Sequence, residues 1–135
     1  MRLYSVAVTS LAVDAPVKWT DNLIAHHHLP EVRSRSRGVS RGVSWAGVLR
    51  IALIRTLHLH VGCGIREAVS LSGGLLHSSD GTLAVGERLT ITIDRDALER
   101  DVQRRLADAI ESAPRPRRGR PIRRGERDRQ PDSRG

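Results

Sequence analysis

The densest run of groups able to bind metal or carry protons is His26-His27-His28, within PVKWTDNLIAHHHLPEV. Successive helical residues point in different directions, so three neighbours cannot ligate one ion without unwinding the helix. Imidazoles near a helix C-terminus instead complement the macrodipole, with one of them free to meet a ligand. His58, His60 and Cys63 form the other candidate cluster, but an i, i+2 pair lies on nearly opposite helix faces. Cys63 is expected to be buried and inert, as free cysteines commonly are. It has no orienting partner or oxyanion feature that would make it a nucleophile. Ser70 and Ser72 lack the flanking glycines of a nucleophile elbow. The expectation is a chain without catalysis, metal or cofactor.

A second constellation suits recognition of a polyanion. Arg33, Arg35, Arg37 and Arg41 fall within nine positions of RSRSRGVSRGVS and its flank, a segment lacking large apolar side chains. Arg33, Arg35 and Arg37 alternate, which in an extended strand aims all three to one side. Forked guanidinium groups match phosphate oxygens, and such contacts supply salt-sensitive affinity without sequence choice. Upstream, Lys18, Asp21, Asn22 and His26 share one helical stripe. Asn22 can read an adenine edge with two hydrogen bonds, and Lys18 can reach guanine or phosphate. Asp21 would repel phosphate unless it accepts from cytosine or pairs with an arginine of the neighbouring hairpin.

The totals agree with a basic partner surface. Formal net charge is +8 over 135 residues, and arginine supplies 22 of the 23 basic side chains. Nine arginines against three acids lie from Ala113 onward, a stretch with four prolines that is expected to remain disordered. With Tyr4, Trp19, Trp45 and no phenylalanine, any core must be aliphatic. A single cysteine excludes an intrachain disulfide and points to a reducing, cytoplasmic setting. Met1 to Val13 lacks the pattern of a secretory leader. Charges interrupt the longest apolar run, near Val48 to Val61, so no membrane span is expected.

Periodicity predicts the elements that must hold these residues. Leu3 to Val13 reads as a short helix, Asp14-Ala15-Pro16 as a turn, and Pro16 to His27 as a second helix ended by Leu29-Pro30. Trp19, Leu23 and Ile24 would fix that helix to the core. A hairpin or loop over Arg33 to Ser44 follows, with Ser44 capping the apolar helix WAGVLRIALIRTLHLHVG, which Gly62 and Gly64 end. Ile65 to Leu76 is a second amphipathic helix, buried on Ile65, Ala68, Val69, Ser72 and Leu76, with Gly73-Gly74 weakening its last turn. Alternation of Leu89, Ile91 and Ile93 with threonines predicts a β-hairpin from Leu83. Asp94 then caps a helix with a stripe of Leu98, Val102, Leu106, Ala109 and Ile110.

Short helix, turn, second helix, arginine-rich hairpin and long apolar helix follow the order of a winged helix-turn-helix. Tyr4 to Leu76 resembles the MerR-type winged-helix domain in order and spacing. YSVAVTSLAVDAPVKWTDNLIAHHHLP stands for its two-helix unit, RSRSRGVSRGVS for its wing and SWAGVLRIALIRTLHLHVGCGIREAVSL for the following helix pair. Trp19-Thr20-Asp21-Asn22 stands near the place of that family's Arg-Tyr-Tyr-Glu signature. The resemblance implies transcriptional regulation by binding double-stranded DNA, with the second helix in the major groove.

The expected fold is thus mainly α, a winged helix-turn-helix over 1–79 with an added β-hairpin and C-terminal helix over 80–112 and a basic tail over 113–135. The C-terminal stripe looks too long for so small a core to cover, and it is expected to pair two copies into a homodimer. A rival expectation is a protein-interaction module such as an antitoxin or adaptor. In that case Leu83 to Ile93, or the last helix, docks a partner protein such as a toxin.

Overall fold

The computed structural model describes residues 2–33 and 41–112. The wing residues Arg35 and Arg37 and the basic tail from Ala113 lie outside the described residues. Among the described residues the architecture is mainly helical, with two small antiparallel two-stranded sheets.

Helix α1 (Val6–Ala12) begins later than the apolar pattern suggests. Ser5 takes an extended conformation and its Oγ accepts from the Val8 N–H at 3.1 Å, satisfying a donor the helix leaves unpaired. Tyr4 is therefore free to bridge Val43, exchanging two backbone hydrogen bonds of 2.8 Å. Helix α2 (Val17–His26) follows, with Pro16 as its N-cap and not its first helical residue. It ends at His27, whose backbone turns extended at φ −133° and ψ 140°, before Pro30 is reached.

Packing of α2 departs from expectation at one position. Thr20 is fully buried beside Leu23, whereas Trp19 and Ile24 are only half-buried. The Ser10 hydroxyl, also buried, donates to Thr20 Oγ1 at 2.8 Å and so ties α1 to α2. Thr20→Val should remove that acceptor while keeping the shape, leaving the Ser10 hydroxyl without a partner. A loss of about 1–2 kcal/mol is expected, read as a lower urea midpoint at unchanged m-value.

Strands β1 (Val32–Arg33) and β2 (Gly42–Val43) pair antiparallel, with Val32 opposite Val43 and Arg33 opposite Gly42. Ser44 caps α3 (Trp45–Thr56) as its sequence position predicts, accepting from the Gly47 N–H at 3.1 Å and donating to the Glu31 carbonyl at 2.9 Å. Helix α3 is the hub. Val48, Ile51 and Ile54 are fully buried because α1, α4, the last helix and β2 all pack against it. It continues as one π-helical turn, Leu57–Val61, ended by Gly62 in the left-handed region at φ 88°.

Helix α4 (Ile65–His77) buries Ala68, Ser72 and Leu75, so Leu75 takes the deep position expected for Leu76. Gly73-Gly74 does not fray the last turn. A Cβ at Gly73 would lie 3.0 Å from the Arg50 guanidinium, and one at Gly74 3.0 Å from the Leu83 side chain. The glycines open room for both neighbours.

Strands β3 (Thr82–Val85) and β4 (Leu89–Thr92) form the second hairpin, with β3 against α4. At its base Asp80 accepts from the Ser78 hydroxyl at 2.6 Å and the Thr82 N–H at 3.1 Å; these bonds hold its carboxyl below the usual carboxylate range. Asp94 caps α5 (Arg95–Ser112) through a 3.0 Å bond from the Ala97 N–H. Contrary to the expectation of an uncovered stripe, Val102, Leu106 and Ala109 are buried as α5 lies on α1 and α3. The middle of that stripe belongs to the core, while Leu98 and Ile110 at its ends are only partly buried. Among the described residues no helix is long and apolar enough to cross a membrane.

Candidate functional site

Helix α2 presents a continuous exposed rib. Lys18, Asn22 and His26 are exposed along one line, with Val17, Asp21 and Ala25 on the adjoining line. The opposite arc carries Thr20 and Leu23 into the core, which fixes the rib's direction. Helical periodicity with a two-residue anchor thus sets which side chains face solvent.

Two clefts flank the rib. One, of about 310 Å³, lies between the C-terminal half of α2 and the first hairpin, and is lined by Ile24, Ala25, Val32, Arg33 and Arg41 among others. The second, about 290 Å³ and mostly apolar, runs between α2 and the start of α4 over Trp19, Leu23 and Ile65, with Asn22 and His26 at its edge.

The charges are arranged more specifically than their sequence positions imply. Arg41 Nη1 lies 3.1 Å from Asp21 Oδ1, joining β2's approach to the rib of α2. Of the two resolutions available to Asp21, pairing with a hairpin arginine is the one adopted. With its two side chains 27% and 54% exposed, this pair contributes about 0–1 kcal/mol to stability. Its main effects are geometric and electrostatic: it sets the hairpin against the helix and neutralises a carboxylate on the rib. Arg41 is consequently engaged, whereas Arg33 is exposed at the end of β1.

The histidines divide by role. His26 Nδ1–H donates to the Asn22 carbonyl at 2.9 Å, closing the end of α2 and leaving Nε2 outward. His27 is half-buried and His28 exposed. His58 Nδ1 lies 2.8 Å from the Cys63 carbonyl and braces the π-helical turn. Cys63 is half-buried, short of the full burial expected. Among the described residues no group of three or more His, Cys, Asp or Glu side chains is placed to hold a metal ion.

Two residues escaped sequence reasoning. Arg55 on α3 stacks its guanidinium 4.8 Å from the centre of the Trp19 ring, bracing α2 from behind. Arg50, with 12% of its side chain exposed, bonds both Glu31 carboxylate oxygens, the Ser72 hydroxyl and the Val69 carbonyl. It thereby joins the hairpin's base to α3 and α4. A basic residue recurring within an apolar helix, as at Arg50 and Arg55, is the signal that was available.

The chain matches no protein-family model, no curated protein and no solved structure.

Proposed function

We propose that this chain binds double-stranded DNA as a transcriptional regulator, in the manner of a MerR-like winged helix-turn-helix protein. The observation that carries this reading is the exposed rib of Lys18, Asn22 and His26 standing beside a hairpin that supplies Arg33 and Arg41. In this reading α2 enters the major groove, where Asn22 and Lys18 meet base edges. The hairpin follows the adjacent backbone and adds affinity that falls with salt. Arg35 and Arg37, outside the described residues, continue in sequence the alternation that starts at Arg33.

The Asp21–Arg41 pair gives a direct test. Asp21→Asn removes a negative charge from the rib and releases Arg41 towards phosphate. Affinity for a random-sequence duplex should rise several-fold, and the salt dependence should steepen by about 0.9 in log K against log salt, one added phosphate contact. Fluorescence anisotropy across a salt series reads both. An unchanged slope would show that Arg41 does not approach the backbone.

One observation favours a second reading, a protein-interaction module such as an antitoxin or adaptor. Strand β4 is largely exposed, with Leu89 at 55%, and among the described residues the β3–β4 hairpin pairs only with itself. An edge of this kind can accept a strand from another chain. The two readings place the contact on different elements, so Leu89→Lys should spare DNA affinity and impair partner binding.

A further inference from the structure

The outer edge of β4 is open. Strands β3 and β4 form a two-stranded sheet, β3 is the strand that lies along α4, and among the described residues no further strand pairs with β4. The backbone settles which groups face that edge. The Ile93 N–H donates to the Gly81 carbonyl at 2.9 Å, with Leu83 opposite Ile91 and Val85 opposite Leu89. Bonding sides alternate along an antiparallel strand, so Leu89, Ile91 and Ile93 bond towards β3. Thr90 and Thr92 therefore direct their N–H and C=O groups to the open side. The 3.2 Å approach of the Thr82 and Thr92 hydroxyls agrees, since side chains come closer where the backbones do not bond each other.

Open edges are commonly blunted by lysine, proline or a bulge. Leu89–Thr92 carries neither residue, and its register with β3 is unbroken. The strand is also complementary to itself in one register. A two-fold axis perpendicular to a sheet keeps every side chain on its own face, so it must pass through a residue. With the axis at Ile91, that residue meets its own copy, Leu89 meets Ile93, Thr90 meets Thr92 and Arg88 meets Asp94. An axis at Thr90 would instead set Glu87 against Ile93, and one at Thr92 would set Leu89 against Arg95. Only the first joins apolar to apolar, hydroxyl to hydroxyl and cation to anion.

We propose that two copies of this chain pair edge to edge through β4, antiparallel about Ile91, making one continuous sheet in the order β3-β4-β4-β3. Thr90 and Thr92 of each copy supply the backbone hydrogen bonds. Leu89, 55% exposed in the single chain, is covered by the second copy. Asp94 uses Oδ1 to cap α5, which leaves Oδ2 for Arg88 of the second copy. The pairing uses neither α2 nor the first hairpin, so it does not rest on the DNA-binding reading.

Sedimentation equilibrium of the full chain without DNA tests the assignment. Reversible association to twice the monomer mass is expected, with a dissociation constant on the order of 10 µM for so small an interface. Thr90→Pro removes a donor that faces only the open edge, so the hairpin keeps its own ladder while association weakens about tenfold or more. Arg88→Glu, at an exposed turn position, places like charges opposite one another and should weaken association without touching the fold. The register is read by oxidation in a Cys63→Ser background. Ile91→Cys should cross-link two copies, because opposed residues that do not bond each other stand about 4.5 Å apart at Cα, within disulfide reach. Ala84→Cys, exposed on β3 and away from the open edge, should not. A monomer up to about 200 µM, far above the expected dissociation constant, would overturn the proposal and leave the edge to a different chain. Unchanged association by folded Thr90→Pro or Arg88→Glu would overturn it too, as would cross-linking of Ile91→Cys no greater than that of Ala84→Cys.

Discussion

Arg50→Ala is expected to lower the stability of the fold by about 3 kcal/mol, the cost of removing one partner from a largely buried ion pair, with the melting temperature falling by roughly 10 °C. The side chain is 12% exposed and ties α3 to two other parts of the fold: Glu31 ahead of β1, and Ser72 and Val69 on α4. Its loss leaves the Glu31 carboxylate facing a vacated space beside Gly73. Because Glu31 keeps 27% exposure, water can reach it, which places the effect at the lower end for a buried pair. Arg50→Lys should recover little, since an ammonium cannot present donors in several fixed directions. Arg50→Met keeps part of the stem packing and should fall between wild type and alanine. Chemical denaturation of the three variants checks the order. A loss below 1 kcal/mol for alanine would show that the cluster is peripheral to stability.

Asn22→Ala should reduce affinity for a selected duplex by about 5- to 150-fold, the value of one bidentate base contact of about 1–3 kcal/mol. Affinity for random duplex should change little, and the salt slope should stay constant, because no phosphate contact is lost. Lys18→Ala separates the two roles open to that residue. A flatter salt slope with uniform weakening assigns Lys18 to phosphate; lost preference at one base pair assigns it to guanine. Neither substitution should disturb folding, since both side chains are exposed on a helix anchored by Thr20 and Leu23. Equal losses on selected and random duplex for Asn22→Ala would contradict a base-reading role.

Local signals were legible in the sequence. Ser44 and Asp94 cap their helices, Gly62 ends the π-helical turn, and alternation locates the β3–β4 hairpin. Each depends on residues a few positions apart, where backbone geometry alone decides. The rib of Lys18, Asn22 and His26 was legible for the same reason. Long-range partners were not. Arg50 reaches across 19 residues to Glu31 and 22 to Ser72, and nothing local to α3 marks those distances. Thr20 reads as a polar surface residue until Ser10, ten residues away, supplies its donor. Tyr4 reads as helical until Val43 offers it a strand neighbour. The α5 stripe seemed surplus because its cover comes from α1, near the opposite end of the described chain.

The reading as a whole depends on α2 being the surface that meets DNA. The most direct measurement is chemical-shift mapping of the labelled full chain with a duplex selected by it from a random pool. The account predicts the largest perturbations at Lys18, Asn22 and His26, with further shifts at Arg33. Failure to enrich any duplex, or shifts confined to the β3–β4 hairpin or α5, would contradict it.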